Sequence, residues 1–91
     1  MLIVVTYDVV DNRRRVKVHK LLMGYGDWRQ YSVFECDLTE RRYREMLAKI
    51  GRLIDRDEDS VCCYRLCALC RAGLITMGTA RPFEEERVVV I

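Results

Sequence analysis

The chain of 91 residues carries a single histidine. Without a second imidazole there is no histidine pair for a metal, and no Ser-His-Asp set for acyl transfer. Its five glycines form no phosphate-cradling loop, so nucleotide hydrolysis of that type also lacks its parts. No apolar run approaches the roughly 18 residues that span a bilayer. The first residues have no basic stretch ahead of a long apolar one, so no secretory leader and no membrane attachment are expected, and the cytoplasm is the expected location. Five cysteines are an odd number and a poor fit to a disulfide framework, which agrees with a reducing compartment.

What is present is a soluble composition, half apolar and one third charged. It suits one globular domain with one modest core, expected over 1–91, with 1–78 as the core and 79–91 as a C-terminal extension. The net charge of +2 is small, but the charges are segregated. Arg13, Arg14, Arg15, Lys17 and Lys20 crowd one segment, while acid gathers at Asp55, Asp57, Glu58, Asp59 and at Glu84, Glu85, Glu86. A basic face of this kind meets a polyanion even when the total charge is near zero, although a solvated helix face has the same pattern.

Leu2-Ile3-Val4-Val5-Thr6-Tyr7-Asp8 reads as a buried central strand ending in an aromatic and a carboxylate. A helix is expected over 12–25, capped by Asp11 or Asn12 and striped by Val18, Leu21, Leu22 and Tyr25, with Gly24 and Gly26 ending it. His19, among the lysines, reads as a surface residue. Residues 28–37 are β-forming, as one long strand or two short ones bent near Ser32. Thr39 caps a second helix over 39–54, striped by Tyr43, Met46, Leu47, Ile50, Leu53 and Ile54. Strands are expected over 60–67 and 74–77, then loop over 78–86, and an apolar run over 87–91 that needs a sheet edge in this chain or a second copy.

This order predicts an α+β, ferredoxin-like β-α-β-β-α-β sandwich with both helices on one sheet face and an extra C-terminal strand. The spare strand and the half-covered sheet are both relieved by a two-fold dimer. Asp8 is the candidate chemical residue, with a capping or turn role as the alternative. A carboxylate holds Mg²⁺ or Mn²⁺ through oxygen and arginines hold phosphate, so the pair points to phosphodiester chemistry. One aspartate is a thin ligand set, and a dyad would bring two copies of Asp8 together. Cys67-Ala68-Leu69-Cys70 is a single CxxC, too few thiols for a structural zinc site, and reads as small packing residues. An RRM-like RNA-binding sheet would want a glycine-aromatic pattern that strand one lacks.

Taken together, Tyr7-Asp8-Val9, Arg13-Arg14-Arg15-Val16-Lys17-Val18, Tyr25-Gly26, Gln30-Tyr31-Ser32-Val33-Phe34-Glu35, Asp59-Ser60-Val61, Tyr64-Arg65-Leu66-Cys67 and Val90-Ile91 stand in a recognisable order. In these the chain resembles the small CRISPR-associated protein of spacer acquisition, the second of the numbered core families and known as the CRISPR-associated endoribonucleases. The resemblance implies a ferredoxin-like homodimer whose last strand crosses to the partner's sheet. It implies that Asp8 is the catalytic metal-binding residue, with Mg²⁺ (or Mn²⁺) at the dimer interface. Tyr7, Arg15 within the arginine group, Arg29 and Phe34 fall where family members carry residues supporting nuclease activity. Arg13, Arg14, Arg15, Lys17, Lys20 and Arg29 are the expected nucleic-acid contacts. The implied substrates are single-stranded RNA or double-stranded DNA, and the implied partner is the CRISPR integrase. A non-catalytic dimer that grips the prespacer for the integrase is the alternative. The CxxC marks a subfamily in this resemblance.

Overall fold

The computed structural model describes residues 1–78. Its elements run β1 (Leu2–Asp8), α1 (Asn12–Met23), β2 (Asp27–Gln30), β3 (Val33–Asp37), α2 (Glu40–Leu53), β4 (Ser60–Leu66) and α3 (Ala68–Ala72). The four strands form one antiparallel sheet in the order β2-β3-β1-β4. The apolar run of β1 is central because both its edges are paired, to β3 and to β4.

Alternation along β1 decides the layers. Ile3, Val5 and Tyr7 join Phe34 and Cys36 of β3 in a cluster closed by Val18 and Leu22 of α1 and Met46 and Ile50 of α2. Both helices therefore cover the same face, as their stripes require. Thr6 and Asp8 point to the other face. There β1 is only half buried, short of the two-sided burial its composition suggests. Of the α2 stripe, Leu47 alone is left largely exposed.

Local chemistry sets the boundaries. Asp11 caps α1 by accepting the Arg14 N–H at 3.0 Å, and Thr39 caps α2 by accepting the Arg42 N–H at 3.2 Å. Helix α1 ends at Met23 with Gly24 as its cap, two residues short of the expected end. Gly26 has a separate duty. A Cβ there would lie 2.4 Å from the Glu35 carbonyl oxygen and 2.5 Å from Cys36 Sγ, so only glycine lets the chain run this close to β3.

Residues 28–37 are two strands, joined through Tyr31-Ser32. Tyr31 takes the left-handed turn position with φ 41°, an uncommon conformation for a bulky residue and one that costs of order 1–3 kcal/mol. Arg29 is the extra residue of a bulge, since Trp28 and Gln30 face the consecutive pair Phe34 and Val33.

Two expectations fail after β4. No strand forms over 74–77; its Ile and Thr carry β-propensity but meet no strand to pair with among the described residues. Instead the helix-forming Ala68-Leu69-Cys70-Arg71-Ala72 make α3, and Leu74 N–H bonds back to the Arg71 carbonyl at 3.2 Å. Nor are Cys67 and Cys70 packing residues: both are exposed, and Cys67 Sγ caps α3 by accepting the Cys70 N–H at 3.5 Å. The expected loop over 79–86 and strand over 87–91 lie outside the described residues.

At the end of the sheet where β1 finishes and β4 starts, the connections are tied together by Asp59. Its carboxylate has no exposed surface and accepts four N–H groups. These are Val10 N (3.0 Å), Asp55 N (2.8 Å), Arg14 Nε (2.9 Å) and Arg14 Nη2 (3.3 Å). The Arg14 guanidinium, opposed by burial and helped by the two backbone donors, holds the Asp59 carboxyl down at about 2.

Three outcomes follow from this packing. Gly26→Ala should lower stability by about 1–3 kcal/mol in urea unfolding, as overpacking against backbone does; an unchanged midpoint would show that β3 yields freely. Because the folded carboxyl of Asp59 titrates below its ordinary 3.8, its stabilisation is present above about pH 4 and is lost as pH falls toward 2. Asp59→Asn should therefore melt lower at neutral pH and show a flatter decline across that window than the parent chain. A parallel decline in both would remove Asp59 from the account. In thiol labelling, Cys67 should react first, because the Cys70 N–H and thiol favour its thiolate. Cys36, fully buried and pushed up to about 12 by burial, should stay unmodified until the chain unfolds. Equal labelling of the two would contradict the core assignment.

Candidate nucleic-acid and phosphodiester site

Asp8 stands where β1 leaves the sheet, paired across to Ser60 of β4, and its side chain is exposed. Val9 is buried, and Asp11 then starts α1. The order strand, buried anchor and capped helix makes a rigid mount for the carboxylate, because neither neighbour can shift without opening the core. Among the described residues no group of three or more His, Cys, Asp or Glu side chains converges as a metal cage. Asp8 offers carboxylate oxygen, the donor that Mg²⁺ and Mn²⁺ prefer, but one chain supplies only that one group.

The basic segment divides once its geometry is seen. Arg13, Lys17 and Lys20 are exposed on α1. Arg14 is not a free cation: besides its bonds to Asp59, its Nη2 donates to Glu58 at 2.9 Å. Arg15 is exposed but oriented, donating from Nη1 to the Val9 carbonyl at 3.0 Å and from Nη2 to Asn12 Oδ1 at 2.9 Å. Of its five N–H donors these bonds use two, which leaves three. Arg29, on the bulge, lies 3.7 Å from Glu35 across the strands and is mostly buried.

Tyr7 and Phe34 sit on the helix side of the sheet, opposite Asp8 by the alternation of β1. Phe34 has no exposed surface; it stacks on Tyr7 at 6.3 Å and 29°. Its fully buried ring packs directly against Tyr7. The Tyr7 hydroxyl is hydrogen-bonded to His19 Nδ1 at 3.3 Å, and burial, by disfavouring the phenolate, pushes its pKa above the ordinary tyrosine value.

Sequence reasoning underrated His19. It is half buried, edge-on to Phe34 at 5.2 Å and to Trp28 at 5.3 Å. The available signal was its place next to Val18 and three residues before Leu22, on the apolar side of α1. The sequence gives Asp59 no role beyond the acidic loop and the Asp59-Ser60-Val61 stretch of the resemblance, though an aspartate directly before a strand is well placed to bond backbone N–H groups. The structure thus gathers Tyr7, Arg15, Phe34 and His19 on one side of β1, with Asp8 at its end. Arg29 lies apart, beside Glu35.

Comparison with known proteins places this arrangement. The profile of the family "CRISPR associated protein Cas2" matches residues 1–72. A CRISPR-associated endoribonuclease Cas2 1 of Chloroflexus aurantiacus is 41% identical over 100% of this chain and 99% of its own length. One of the same description from Synechocystis is 38% identical over 99% of this chain and the whole of that protein. Among solved structures, the Cas2 of Streptococcus pyogenes superposes with TM-score 0.76 at 32% identity, covering 86% of this chain and 100% of that one. A hypothetical protein TT1823 from Thermus thermophilus reaches TM-score 0.78 at 36% identity, covering 88% and 93%. With the family profile spanning β1 to α3 and relatives matched along nearly their full length, the chain belongs to the Cas2 family of CRISPR-associated proteins.

Proposed function

We propose that this chain is a homodimeric, Mg²⁺-dependent endonuclease that hydrolyses phosphodiester bonds of single-stranded RNA or double-stranded DNA. In this reading it works in the cytoplasm with the CRISPR integrase during spacer acquisition. The observation that carries the reading is Asp8. An exposed carboxylate ends the central strand of a rigid sheet, beside a helix with exposed cations, in a family whose curated relatives are named CRISPR-associated endoribonucleases. In the absence of a convergent cage, the two-fold dimer is what doubles the carboxylates, one Asp8 from each copy.

The roles follow from the positions. Asp8 would hold the cation, and the exposed cations of α1, Arg13, Arg15, Lys17 and Lys20, would hold the phosphate backbone through charge-assisted bonds. A divalent ion bound there would supply Lewis-acid charge neutralisation and lower the pKa of water. Water attacks phosphorus, the bond to one ester oxygen breaks, and the products are a phosphomonoester and a hydroxyl end. Tyr7, fixed by His19 and Phe34, shapes the wall beside the strand end. The whole is a ferredoxin-like sandwich.

A second reading has its own observation. One carboxylate per chain and no metal cage among the described residues suit a dimer that grips a prespacer through its phosphates and cuts little or nothing. Such binding is sequence-independent and strongly salt-dependent.

One comparison separates the two. With Mg²⁺ or Mn²⁺, Asp8→Ala should reduce cleavage by about 100-fold or more, the scale of losing a transition-state charge stabiliser, and leave duplex affinity within a factor of about two. Equal activity in both proteins would remove Asp8 from the chemistry. Duplex binding by both with cleavage by neither would favour the gripping dimer.

A further inference from the structure

A groove of about 280 Å³ lies between α1 and the β2–β3 turn. Trp28, Tyr31, His19 and Tyr7 form its aromatic walls, and Arg15 and Lys20 supply its charge. Among the described residues no carboxylate lines it. Its volume falls just under the roughly 300–1,000 Å³ of pockets for drug-sized ligands, which leaves room for one planar ring system.

The walls are preset. The indole Nε1 donates to the Tyr31 carbonyl at 2.8 Å, and His19 abuts the ring edge-on at 80°. The only polar atom of Trp28 is thus used internally, and what the side chain still offers is apolar ring surface, 55% of it exposed. Tyr31 is 88% exposed and sits at φ 41°. Left-handed backbone is disfavoured for a bulky residue, and an aromatic ring held in water adds nothing to the fold. Folding therefore gives no reason for a tyrosine at this turn, where glycine or asparagine would fit better. An observed conformational outlier at an exposed aromatic points to a ligand.

Flat aromatic surface beside cations matches a base joined to a phosphate. Stacking on a protein ring requires a base free of its duplex neighbours. We propose that this groove is a subsite for one unpaired nucleotide of a single-stranded nucleic acid, its base stacked against Trp28 and Tyr31 and its phosphate held by Arg15 and Lys20. The proposal rests on the nucleic-acid reading above and adds to it: the chain distinguishes unpaired from paired substrate through a site apart from Asp8, on the opposite face of β1.

Trp28 is the chain's one tryptophan, so its fluorescence reports this groove directly. The full chain would be titrated, in EDTA to prevent cleavage, with single-stranded RNA and DNA of about 12 nucleotides and with a blunt duplex of the same length. Affinity would be read in parallel by anisotropy of the labelled strand. Quenching by the single strands and not by the duplex is expected. Trp28→Ala should weaken single-strand binding about 5- to 150-fold and leave duplex binding as it was. Tyr31→Gly relieves the backbone while removing the ring, so it should show the same direction of loss without a lower melting midpoint; it keeps the test sound if Trp28→Ala folds poorly. Loss shared by RNA and DNA supports a subsite blind to the sugar, and loss with one alone supports that strand as its occupant. Single strands that bind without quenching, and with wild-type affinity in both variants, would overturn the subsite while leaving the nucleic-acid reading intact. Binding of no nucleic acid at all would overturn both.

Discussion

The geometry of the site depends on one buried carboxylate. Asp59 accepts the Val10 and Asp55 backbone N–H groups and the Arg14 guanidinium, with no water-exposed surface of its own. Val10 belongs to the turn after Asp8, Arg14 to the first turn of α1, and Asp55 to the turn that follows α2. A single side chain thus fixes where β1 ends, where α1 begins and how the α2–β4 connection returns to the sheet. An ionised carboxylate is stable there only because every approach to it carries a donor. Leaving the carboxylate in place without Arg14 would strand a buried charge.

That constraint divides the labour among the arginines. Arg14 is structural, so the exposed positive charge of α1 comes from Arg13, Arg15, Lys17 and Lys20. It also separates two surfaces of β1. Asp8 occupies the face away from the helices, and Tyr7 opens onto the groove of Trp28 and His19 on the helix face. In the proposed reading, the carboxylate for chemistry and the aromatic groove for recognition lie on opposite sides of the same strand. Both are held by the same core.

Much of the fold was legible because its signals are periodic. The uninterrupted apolar run of β1 and the stripes at Val18-Leu22 and Met46-Ile50 each specify a buried face, and all three faces meet in one cluster. The β2–β3 turn was legible only as one of two alternatives, a bend near Ser32 or one long strand, because Tyr31-Ser32 contains no glycine or asparagine to mark a left-handed residue. The helix α3 was hidden by glycines that bracket the following segment and by a cap made from a cysteine. Of the site, Asp8 and the basic helix could be read directly, since a strand end followed by a cap is a local pattern. Which arginine is free could not, because the partner of Arg14 lies 45 residues away along the chain. The same distance problem hid His19 and Trp28, which meet only when α1 packs over β2.

The central claim is that two copies of Asp8 share one divalent cation across a dyad. It is tested most directly by the stoichiometry of Mn²⁺ binding, read by electron paramagnetic resonance on the intact protein beside Asp8→Asn. The account predicts one bound ion per two chains, and none above background in the variant. One ion per chain, or the same binding in both proteins, would contradict it.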